Sequence, residues 1–405
     1  MRAVVIGRNY SSRLGMARSA GRAGCDVSLV VVLNGRARGL SSKIRQREKT
    51  PDFFCKYVSE ILYAREPFQD ELVDVLLRIG SRSDEKIVLL PCDDYAAATI
   101  DQNMDSLKDR FLLPNIGMRQ GLVEHYMDKS LQKEYASRAG LNVARAWRIV
   151  VDGGAYSIPE GIEYPCYVKP ENGNDAPKSF AGVCEDNDAL NRLMGTVAKR
   201  SDCTMLVEEY LDIDGEYGVL GFAVNGEAYI PGIVEKARCG HGHQNGITMV
   251  GRVTEPDSGD EFISGVKKLI KEIGFTGLFD VDCCRCDNKK YFIELNLRLG
   301  AFGYAITETL VNLPELFINY SIDANADVPR VTSGKTGATL VSEKVVMDDY
   351  CSGFLSWSQY KEIVREADYS FLNASDDPEP YRAFSRSIPY MKLKRFGKRV
   401  LRKGA

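Results

Sequence analysis

The chain has 405 residues, of which 44% are hydrophobic and 27% charged, and its formal net charge is −3. These values are typical of a soluble globular protein of about two or three domains, and they give no overall charge footprint for binding nucleic acid. Because no run approaches roughly 18 apolar residues, and Met1 leads into a strand rather than a signal peptide, we expect a cytoplasmic protein.

The cysteine count is odd, at 11. Most of these cysteines lie inside apolar runs, which indicates reduced, buried thiols rather than a disulfide framework. Three of them cluster at Cys283, Cys284 and Cys286. Since neighbouring residues of a strand point to opposite faces, these three cannot converge on zinc, and we expect them to serve packing.

The N-terminal pattern predicts a strand at Arg2–Ile6, a helix at Arg13–Gly24 and a strand at Val27–Leu33. A β-α-β unit of this kind starts a parallel sheet with helices on its faces. The loop after Gly7 lacks the further glycines that let a backbone approach a pyrophosphate, which argues against a nicotinamide-binding site.

A helix at Asp70–Leu77 and a buried strand at Lys86–Leu90 lead to two acids, Asp93 and Asp94. Ligands of open α/β sheets collect beyond the carboxyl ends of the strands, so both acids are placed to meet a substrate amine. Asp is also a preferred N-cap, and the pattern continues as helix over Ala96–Ile100. We favour the cap for Asp94 and leave both interpretations open for Asp93.

Two lysines have unusual surroundings. Lys129 begins a helix predicted over Lys129–Ala139, where its charge opposes the helix dipole unless an anion such as phosphate neutralises it; a solvated surface lysine is the alternative. Lys169 lies in a predicted strand directly before Pro170, with no evident partner for its charge. Both lysines are therefore candidates for binding an anion.

The dipeptide Asn225-Gly226 separates predicted strands at Tyr217–Val224 and Glu227–Val234, and it favours a two-residue hairpin turn. A basic, glycine-punctuated segment follows and contains His241 and His243. Either histidine could contact a triphosphate or an acceptor substrate, and an ordinary loop role is equally open.

A helix predicted at Phe262–Ile273 precedes a hairpin of two strands, Leu278–Cys286 and Tyr291–Leu297. Because side chains alternate along a strand, Glu294 and Asn296 share a face. For the same reason Asp280 and Asp282 share one face of the partner strand.

The register of this hairpin decides whether its acids meet. If the loop has three residues, Cys286 pairs with Lys290, and Asp282 lies opposite Glu294, with Asp280 on the same face. A bulged equivalent of this loop would give the same pairing of Asp282 with Glu294. Two converging carboxylates suit Mg²⁺, or alternatively Mn²⁺, completed by substrate phosphates. A solvated strand face with scattered acids is the other interpretation.

The C-terminal part is predicted to contain a helix at Thr307–Ile322, a strand at Glu343–Val346 and a helix at Ser358–Glu366. The tail Ile388–Ala405 carries seven basic residues and no acid. Its apolar residues at helical spacing are Leu393, Phe396, Val400 and Leu401. A basic amphipathic helix is typical of contact with an anionic membrane, here the inner face; a solvated tail or one that docks in a homodimer is equally open.

The string FIELNLRLG, at Phe292–Gly300, resembles the terminal motif of the ATP-grasp superfamily, in which a Glu-x-Asn pair closes a metal site and an Arg faces the phosphoryl group. Other family motifs are matched in the same order by Asp128-Lys129, Tyr167–Pro170, Leu206–Leu211 and Glu216. The resemblance covers roughly residues 85–330. Within the superfamily, this part of the chain resembles the ATP-grasp domain of the carbamoyl phosphate synthase large chain. A weaker resemblance, at Ser375–Pro380, is to the branch that contains D-aspartate ligase.

The resemblance assigns a role to each candidate residue. For the nucleotide, it implies phosphate binding by Lys129 and Lys169, ribose binding by Glu216, a contact by His243, and adenine binding by Glu208, Glu209, Tyr210 and Leu211. For the metal, it implies binding by Asp282, Glu294 and Asn296. For catalysis, it implies roles for Arg298 and Lys169. The loop at residues 171–179 is poorer in glycine than is usual in the family, so Lys178 would supply charge in place of backbone amides.

The implied fold class is α/β, with a mixed central part. A parallel-sheet domain at residues 1–115 would precede a two-lobed ATP-grasp domain at 116–330, with lobes at about 125–207 and 208–330, and an extension at 331–405. The implied function is a ligase that uses ATP and Mg²⁺ to join a small carboxylate to an amine, such as an amino acid or a cell-envelope precursor, through an acyl phosphate. The alternative is a catalytically silent ATP-binding regulator.

Overall fold

The computed structural model describes the backbone of residues 1–35, 50–171, 180–241, 247–257, 259–323 and 336–403, and side chains as far as residue 393. Three sheets organise these residues, and they confirm the expected α/β class with an N-terminal parallel sheet. None of the described helices is long and apolar enough to cross a membrane. The cysteines are free thiols, as expected.

The first sheet is parallel throughout, with the strand order β3-β2-β1-β4-β5. Its elements are β1 (Arg2–Gly7), α1 (Tyr10–Arg22), β2 (Asp26–Asn34), a 3-10 helix (Pro51–Phe54), β3 (Val58–Glu66), α2 (Gln69–Gly80), β4 (Ile87–Pro91), α3 (Asp94–Gln102), α4 (Met104–Leu107) and β5 (Phe111–Leu112). The order reverses direction between β1 and β4, so a crevice is expected beyond their carboxyl ends. Helix α1 begins three residues earlier than predicted because the Asn9 side chain caps it, accepting from the Ser11 amide at 3.0 Å.

The second sheet is antiparallel, with the order β10-β9-β11-β8. The elements of this part are β6 (Asn115–Ile116), α5 (Leu122–His125), α6 (Lys129–Arg138), β7 (Asn142–Val143), β8 (Ala146–Val151), β9 (Cys166–Pro170), β10 (Gly182–Cys184), α7 (Asn187–Ala198) and β11 (Cys203–Glu209). One face of the sheet packs on α7 through a buried apolar cluster that includes Val168, Leu190 and Met205. The other face is free to line a cleft.

The third sheet has the order β18-β17-β14-β13-β12-β15-β16-β7, with β6 paired to β15. Its further elements are β12 (Gly215–Val224), β13 (Glu227–Cys239), β14 (Thr248–Thr254), α8 (Glu261–Ile273), β15 (Phe275–Cys286), β16 (Lys289–Asn296), α9 (Gly303–Thr309), α10 (Leu313–Ile322), β17 (Thr339–Val341), α11 (Glu343–Ser352), α12 (Trp357–Glu366), β18 (Tyr369–Ser370) and α13 (Glu379–Lys403). The Asn225-Gly226 hairpin and the helix before β15 are confirmed.

Two predictions for the C-terminal part are wrong. Residues 343–346 begin helix α11 and do not form a strand. A window of four residues was too short to distinguish a strand from a helix. The longer segment shows helical spacing, since Val346 and Tyr350 are both buried. The predicted helix at Thr307–Ile322 is divided in two because Asn312 caps α10, with Pro314 in its first turn.

A buried ion pair joins the two ends of the chain. The Arg18 guanidinium, on α1, donates to Asp377 Oδ2 at 2.8 Å and to the carbonyl oxygens of Phe371, Leu372 and Asp377 at 2.6 to 2.9 Å. Both side chains are fully buried. Asp377 also accepts from the Lys56 amide at 3.0 Å. The segment before α13 is thereby fixed to the N-terminal sheet domain.

Asp377→Ala should lower the free energy of unfolding by about 3–5 kcal/mol, because the Arg18 guanidinium would remain buried without its counter-charge. Chemical denaturation followed by circular dichroism measures the loss. Glu379→Ala is the matched control, since Glu379 pairs with Arg382 on the surface and should matter little. Equal stability of the two variants would contradict the structural role of Asp377.

Candidate active site

A cleft of about 560 Å³ opens between the second and third sheets. Charged side chains of both signs line it, alternating with apolar ones. The charged lining residues are Lys129, Lys133, Lys169, Lys236, Glu208, Glu209, Asp212, Glu216, Asp282 and Glu294. Most candidates predicted from the sequence therefore meet in one place.

The hairpin of β15 and β16 has the expected register at its acids, and it reaches this register by the bulged alternative rather than by a three-residue loop. Asp282 pairs with Glu294, as predicted. The turn, however, has two residues, Asp287 and Asn288, with φ of 49° and 61°, so Cys286 pairs with Lys289 and not with Lys290.

A β-bulge compensates for the shorter turn. Cys283 pairs with Phe292, whereas Asp282 pairs with Glu294, so Ile293 is an extra residue in β16. The bulge changes the parity of the register and sets the side chains of Asp282 and Glu294 on the same face.

The acids at this end of the cleft are held by lysines and an amide. Lys129 Nζ lies 3.0 Å from Glu294 Oε2, and the Asn296 side chain donates to Asp282 Oδ2 at 3.2 Å. Burial raises the pKa of Glu294, but the nearby cations Lys129, Lys169 and Arg298 together outweigh it, so the net pKa is lowered. Burial also raises the pKa of Asp282; Lys236 lowers it and Glu294 raises it, and the net pKa is raised.

Arg298 connects this end of the cleft to the parallel sheet. Its Nε donates to Asp94 Oδ1 at 2.9 Å, and its Nη2 donates to Asn296 Oδ1 at 3.0 Å. The predicted cap at Asp94 is wrong: the N-cap of α3 is Asp93, which accepts from the Ala96 amide at 2.9 Å. Asp94 is thereby free to hold Arg298.

Asp280 is a half-buried acid behind this end of the cleft, and its Oδ1 atom is inaccessible to solvent. Burial, followed by the charge of Asp282, raises the pKa of Asp280 to about 7. Among the described residues its Oδ1 atom has no hydrogen-bond partner. A Cβ atom at Gly300 would lie 2.5 Å from its Oδ2 atom, so the absence of a side chain there leaves room for this carboxyl.

A buried group of lysines surrounds Glu208, which was predicted to bind adenine. Its carboxylate pairs with Lys133, and Lys169 Nζ lies 2.9 Å from the same oxygen. Burial lowers the pKa of Lys133, and the nearby Lys169 lowers it further, against the effect of Glu208. Sequence reasoning missed Lys133, although it lies one helical turn after Lys129, on the same face of α6.

The segment after β11 forms the other end of the cleft. The Glu209 side chain accepts from the Arg145 amide at 3.1 Å and from its guanidinium at 2.9 Å. Tyr210 and Leu211 line the cleft, and Glu216 lies 2.7 Å from Lys236. Apolar or aromatic walls suitable for a planar ring come from Tyr167, Val183, Cys284 and Phe292.

Lys236 is a second functional candidate that sequence reasoning missed. It lies on β13, and its Nζ is also 3.8 Å from Asp282 Oδ1. Burial lowers its pKa, but Asp282 and Glu216 raise it more, so the net pKa is raised. The signal was its position in a strand beside the one that carries Glu216. The predicted contacts at Lys178 and His243 lie outside the described residues.

The candidate metal ligands can be compared with the ligands that Mg²⁺ prefers in proteins. No group of three or more His, Cys, Asp or Glu side chains in the described part of the chain is arranged to hold a metal. Asp282, Glu294 and Asn296 offer two carboxylates and an amide oxygen, and Mg²⁺ is commonly bound by one or two carboxylates and substrate phosphates. The set therefore fits magnesium that arrives with a nucleotide.

Similar solved structures include an L-amino acid ligase from Bacillus licheniformis, with 15% identity, a TM-score of 0.57, and coverage of 80% of this chain and 74% of the other. A biotin carboxylase from Campylobacter jejuni, in complex with an ATP analogue, shows 16% identity, a TM-score of 0.60, and coverage of 84% and 74%. An N5-carboxyaminoimidazole synthetase from Staphylococcus aureus, complexed with ADP, shows 18% identity, a TM-score of 0.58, and coverage of 84% and 82%.

The chain has the ATP-grasp fold. No protein-family model matches the sequence, and no curated protein matches it. At 15 to 18% identity the likeness concerns the fold alone. The function must therefore be argued from the residues of the cleft.

Gly300→Ala should lower stability by about 1–3 kcal/mol, since the new methyl group would overlap the Oδ2 atom of Asp280. Thermal unfolding of the purified chain measures the effect. Gly182→Ala is the control, because a Cβ at Gly182 meets no described atom within 4 Å. If both variants melted like the wild type, the tight packing around Asp280 would be refuted.

Proposed function

We propose that this chain is an ATP-dependent ligase that joins a carboxylate to an amine through an acyl phosphate and releases ADP and phosphate. The observation that carries the proposal is the grouping of Lys129, Glu294, Asp282, Asn296 and Arg298 at one end of a cleft. This group combines metal-binding oxygens with cations, as phosphoryl transfer requires.

The nucleotide would lie along the cleft with its base at the segment after β11. Backbone groups at Tyr210 and Leu211 and the apolar wall would receive the adenine, and Glu216 the ribose. Lys129 and Lys169 would turn from their acid partners to the phosphates. The pairing of Glu208 with lysines supports a role in holding Lys169 rather than in contacting the base.

Asp282, Glu294 and Asn296 would hold Mg²⁺ at the phosphate end. Bound there, Mg²⁺ would neutralise charge on the phosphate oxygens during transfer. Arg298, held by Asp94 and Asn296, would present its remaining N–H groups to the transferred phosphoryl group. Positioned cations of this kind stabilise charge that develops in the transition state.

The proposal requires no covalent intermediate on a side chain. The carboxylate substrate attacks the terminal phosphorus and ADP leaves; the amine then attacks the acyl carbon and phosphate leaves. An acyl phosphate is labile in water, so both steps must occur while the site excludes solvent.

The substrate class is proposed as amino acids or cell-envelope precursors. One structure of similar fold is an L-amino acid ligase, and Asp94 offers a carboxylate beside Arg298 that could bind an ammonium group. The cytoplasmic location and the homodimer stay predictions. The pairing of Arg298 with Asn296 favours an enzyme over a silent ATP-binding regulator.

The activity can be tested by a screen for ADP release over a matrix of carboxylates and amines with ATP and Mg²⁺. Glu294→Gln should abolish turnover and retain ATP binding, because Lys129, Lys169 and the adenine segment remain. Glu379→Gln, a surface change, should behave as the wild type. Formation of AMP and pyrophosphate, or full activity of Glu294→Gln, would refute this mechanism.

We also propose contact of the C-terminal tail with an anionic membrane. The backbone of α13 is helical to Lys403, and Tyr390 and Leu393 are 68% and 70% exposed. Between these two residues, Lys392 Nζ lies 3.4 Å from the centre of the Trp357 ring, so the start of the basic tail is held against the rest of the protein. Basic residues near an anionic membrane surface are attracted to it by about 1 kcal/mol each.

The full chain should float with vesicles that contain phosphatidylglycerol, and not with pure phosphatidylcholine, in a density gradient. Truncation after Leu393 keeps the contacts to the body and should abolish flotation. High salt should weaken it, since exposed charges are screened. Equal flotation of the full and truncated chains would contradict the proposal, as would binding to RNA but not to lipid.

A further inference from the structure

Two cysteines face each other across a pair of strands in the second sheet. Strands β9 and β10 are antiparallel neighbours, and their register pairs Cys166 with Cys184. Of the strand pairs that the structure describes, this is the one position at which a cysteine lies opposite another cysteine. Directly opposed residues of an antiparallel pair have Cβ atoms about 4.5–5.5 Å apart, and a disulfide needs about 3.5–4.5 Å. A small movement is therefore enough to join the two sulfur atoms.

The two thiols also act on each other. Burial, followed by the nearby Cys184, raises the pKa of Cys166 to about 11. Burial raises the pKa of Cys184 as well, against the effect of a hydrogen bond from Cys166. Effects of this kind require side chains that are close together, so the pairing of the backbones is matched by proximity of the sulfur atoms.

The cysteine pair lies directly behind one wall of the cleft. Side chains alternate along a strand, and Cys166 and Cys184 lie on the face that packs on α7. The other face of the same two strands carries Tyr167, Lys169 and Val183, which line the cleft. Tyr167 is paired with Val183, next to the cysteine pair. A covalent bond behind the wall would therefore act on the strands that form it.

An oxidant can reach these thiols through the edge of the sheet. Cys166 and Cys184 are 0% and 3% exposed in the folded chain. However, β10 has only three residues and is the edge strand of its sheet. A short edge strand separates from its neighbour at low cost in free energy. Because Cys184 is the cysteine on this strand, it is the one that becomes accessible first.

We infer that Cys166 and Cys184 form a reversible disulfide that weakens nucleotide binding; the effect on the nucleotide rests on the proposed function. The oxidant is a low-molecular-weight disulfide such as oxidised glutathione. The Cys184 thiolate attacks it and releases one glutathione, and the Cys166 thiolate then attacks the Cys184 sulfur and releases the second. Two protein thiols are oxidised, one disulfide is reduced, and the two protons end on the two glutathione molecules.

The direction of the effect follows from the geometry of the two strands. A disulfide draws the two Cβ atoms together on the face that packs on α7. Strands that approach each other on one face separate on the opposite face. Tyr167 and Val183 would therefore spread apart, and Lys169 would move with β9, so the wall would fit a nucleotide less well.

The test treats the full chain with oxidised or reduced glutathione, alkylates the remaining thiols and maps the peptides by mass spectrometry. The oxidised wild type should give a cross-link between the peptides that contain Cys166 and Cys184, and dithiothreitol should remove it. Calorimetry with ATP and Mg²⁺ should show binding at least about threefold weaker for the oxidised than for the reduced protein. Cys184→Ala should lose both the cross-link and the effect of the oxidant on ATP affinity.

Cys203→Ala is the matched control, since Cys203 is a buried cysteine on the neighbouring strand β11 that lies opposite Val151. It should keep both the cross-link and the effect on ATP. Thermal unfolding checks that the variants are folded. Absence of the cross-link in the oxidised wild type, or a cross-link that leaves ATP affinity unchanged, overturns the inference and leaves the proposed function intact. Failure of the reduced wild type to bind ATP overturns the proposed function and the effect on ATP, whereas the peptide map judges the disulfide alone.

Discussion

The β-bulge at Ile293 is the constraint on which the candidate site depends. With a two-residue turn and no bulge, Asp282 would lie opposite Ile293, and Glu294 would point to the other face of the sheet, because a slip of one residue reverses every side chain. The bulge instead pairs Asp282 with Glu294 and Asp280 with Asn296. One inserted residue therefore decides whether this hairpin presents a metal-binding face.

Three lysines of the cleft are each paired with an acid. Lys129 is paired with Glu294, Lys169 with Glu208, and Lys236 with Glu216. An unpaired buried charge is costly, and each of these pairs offsets part of that cost before a ligand enters. A nucleotide that arrives with a divalent cation brings both signs of charge. The nucleotide and the cation can therefore replace the present partners of the lysines and of the acids, so that neither set of side chains is left with an unpaired charge.

The sequence predicted those features whose signals are local. The Asn225-Gly226 turn and the amphipathic pattern of α8 each lie within a short window. The pairing of Asp282 with Glu294 was predicted correctly, but the choice between a three-residue loop and its bulged equivalent stayed open, because nothing in the sequence marks which residue will bulge. Lys133 and Lys236 were missed for a related reason. Their partners come from other strands, and only the fold brings them together.

Arg298 shows how far the site extends beyond the hairpin. Its guanidinium plane is fixed at two points, by Asn296 on the preceding strand and by Asp94 beyond the end of β4. Asp94 is available because Asp93 caps α3 in its place. The strand order of the parallel sheet reverses between β1 and β4, where ligands of such sheets bind. We therefore expect the hairpin to determine the type of reaction, and the loops at this edge of the parallel sheet to determine which substrate meets Arg298.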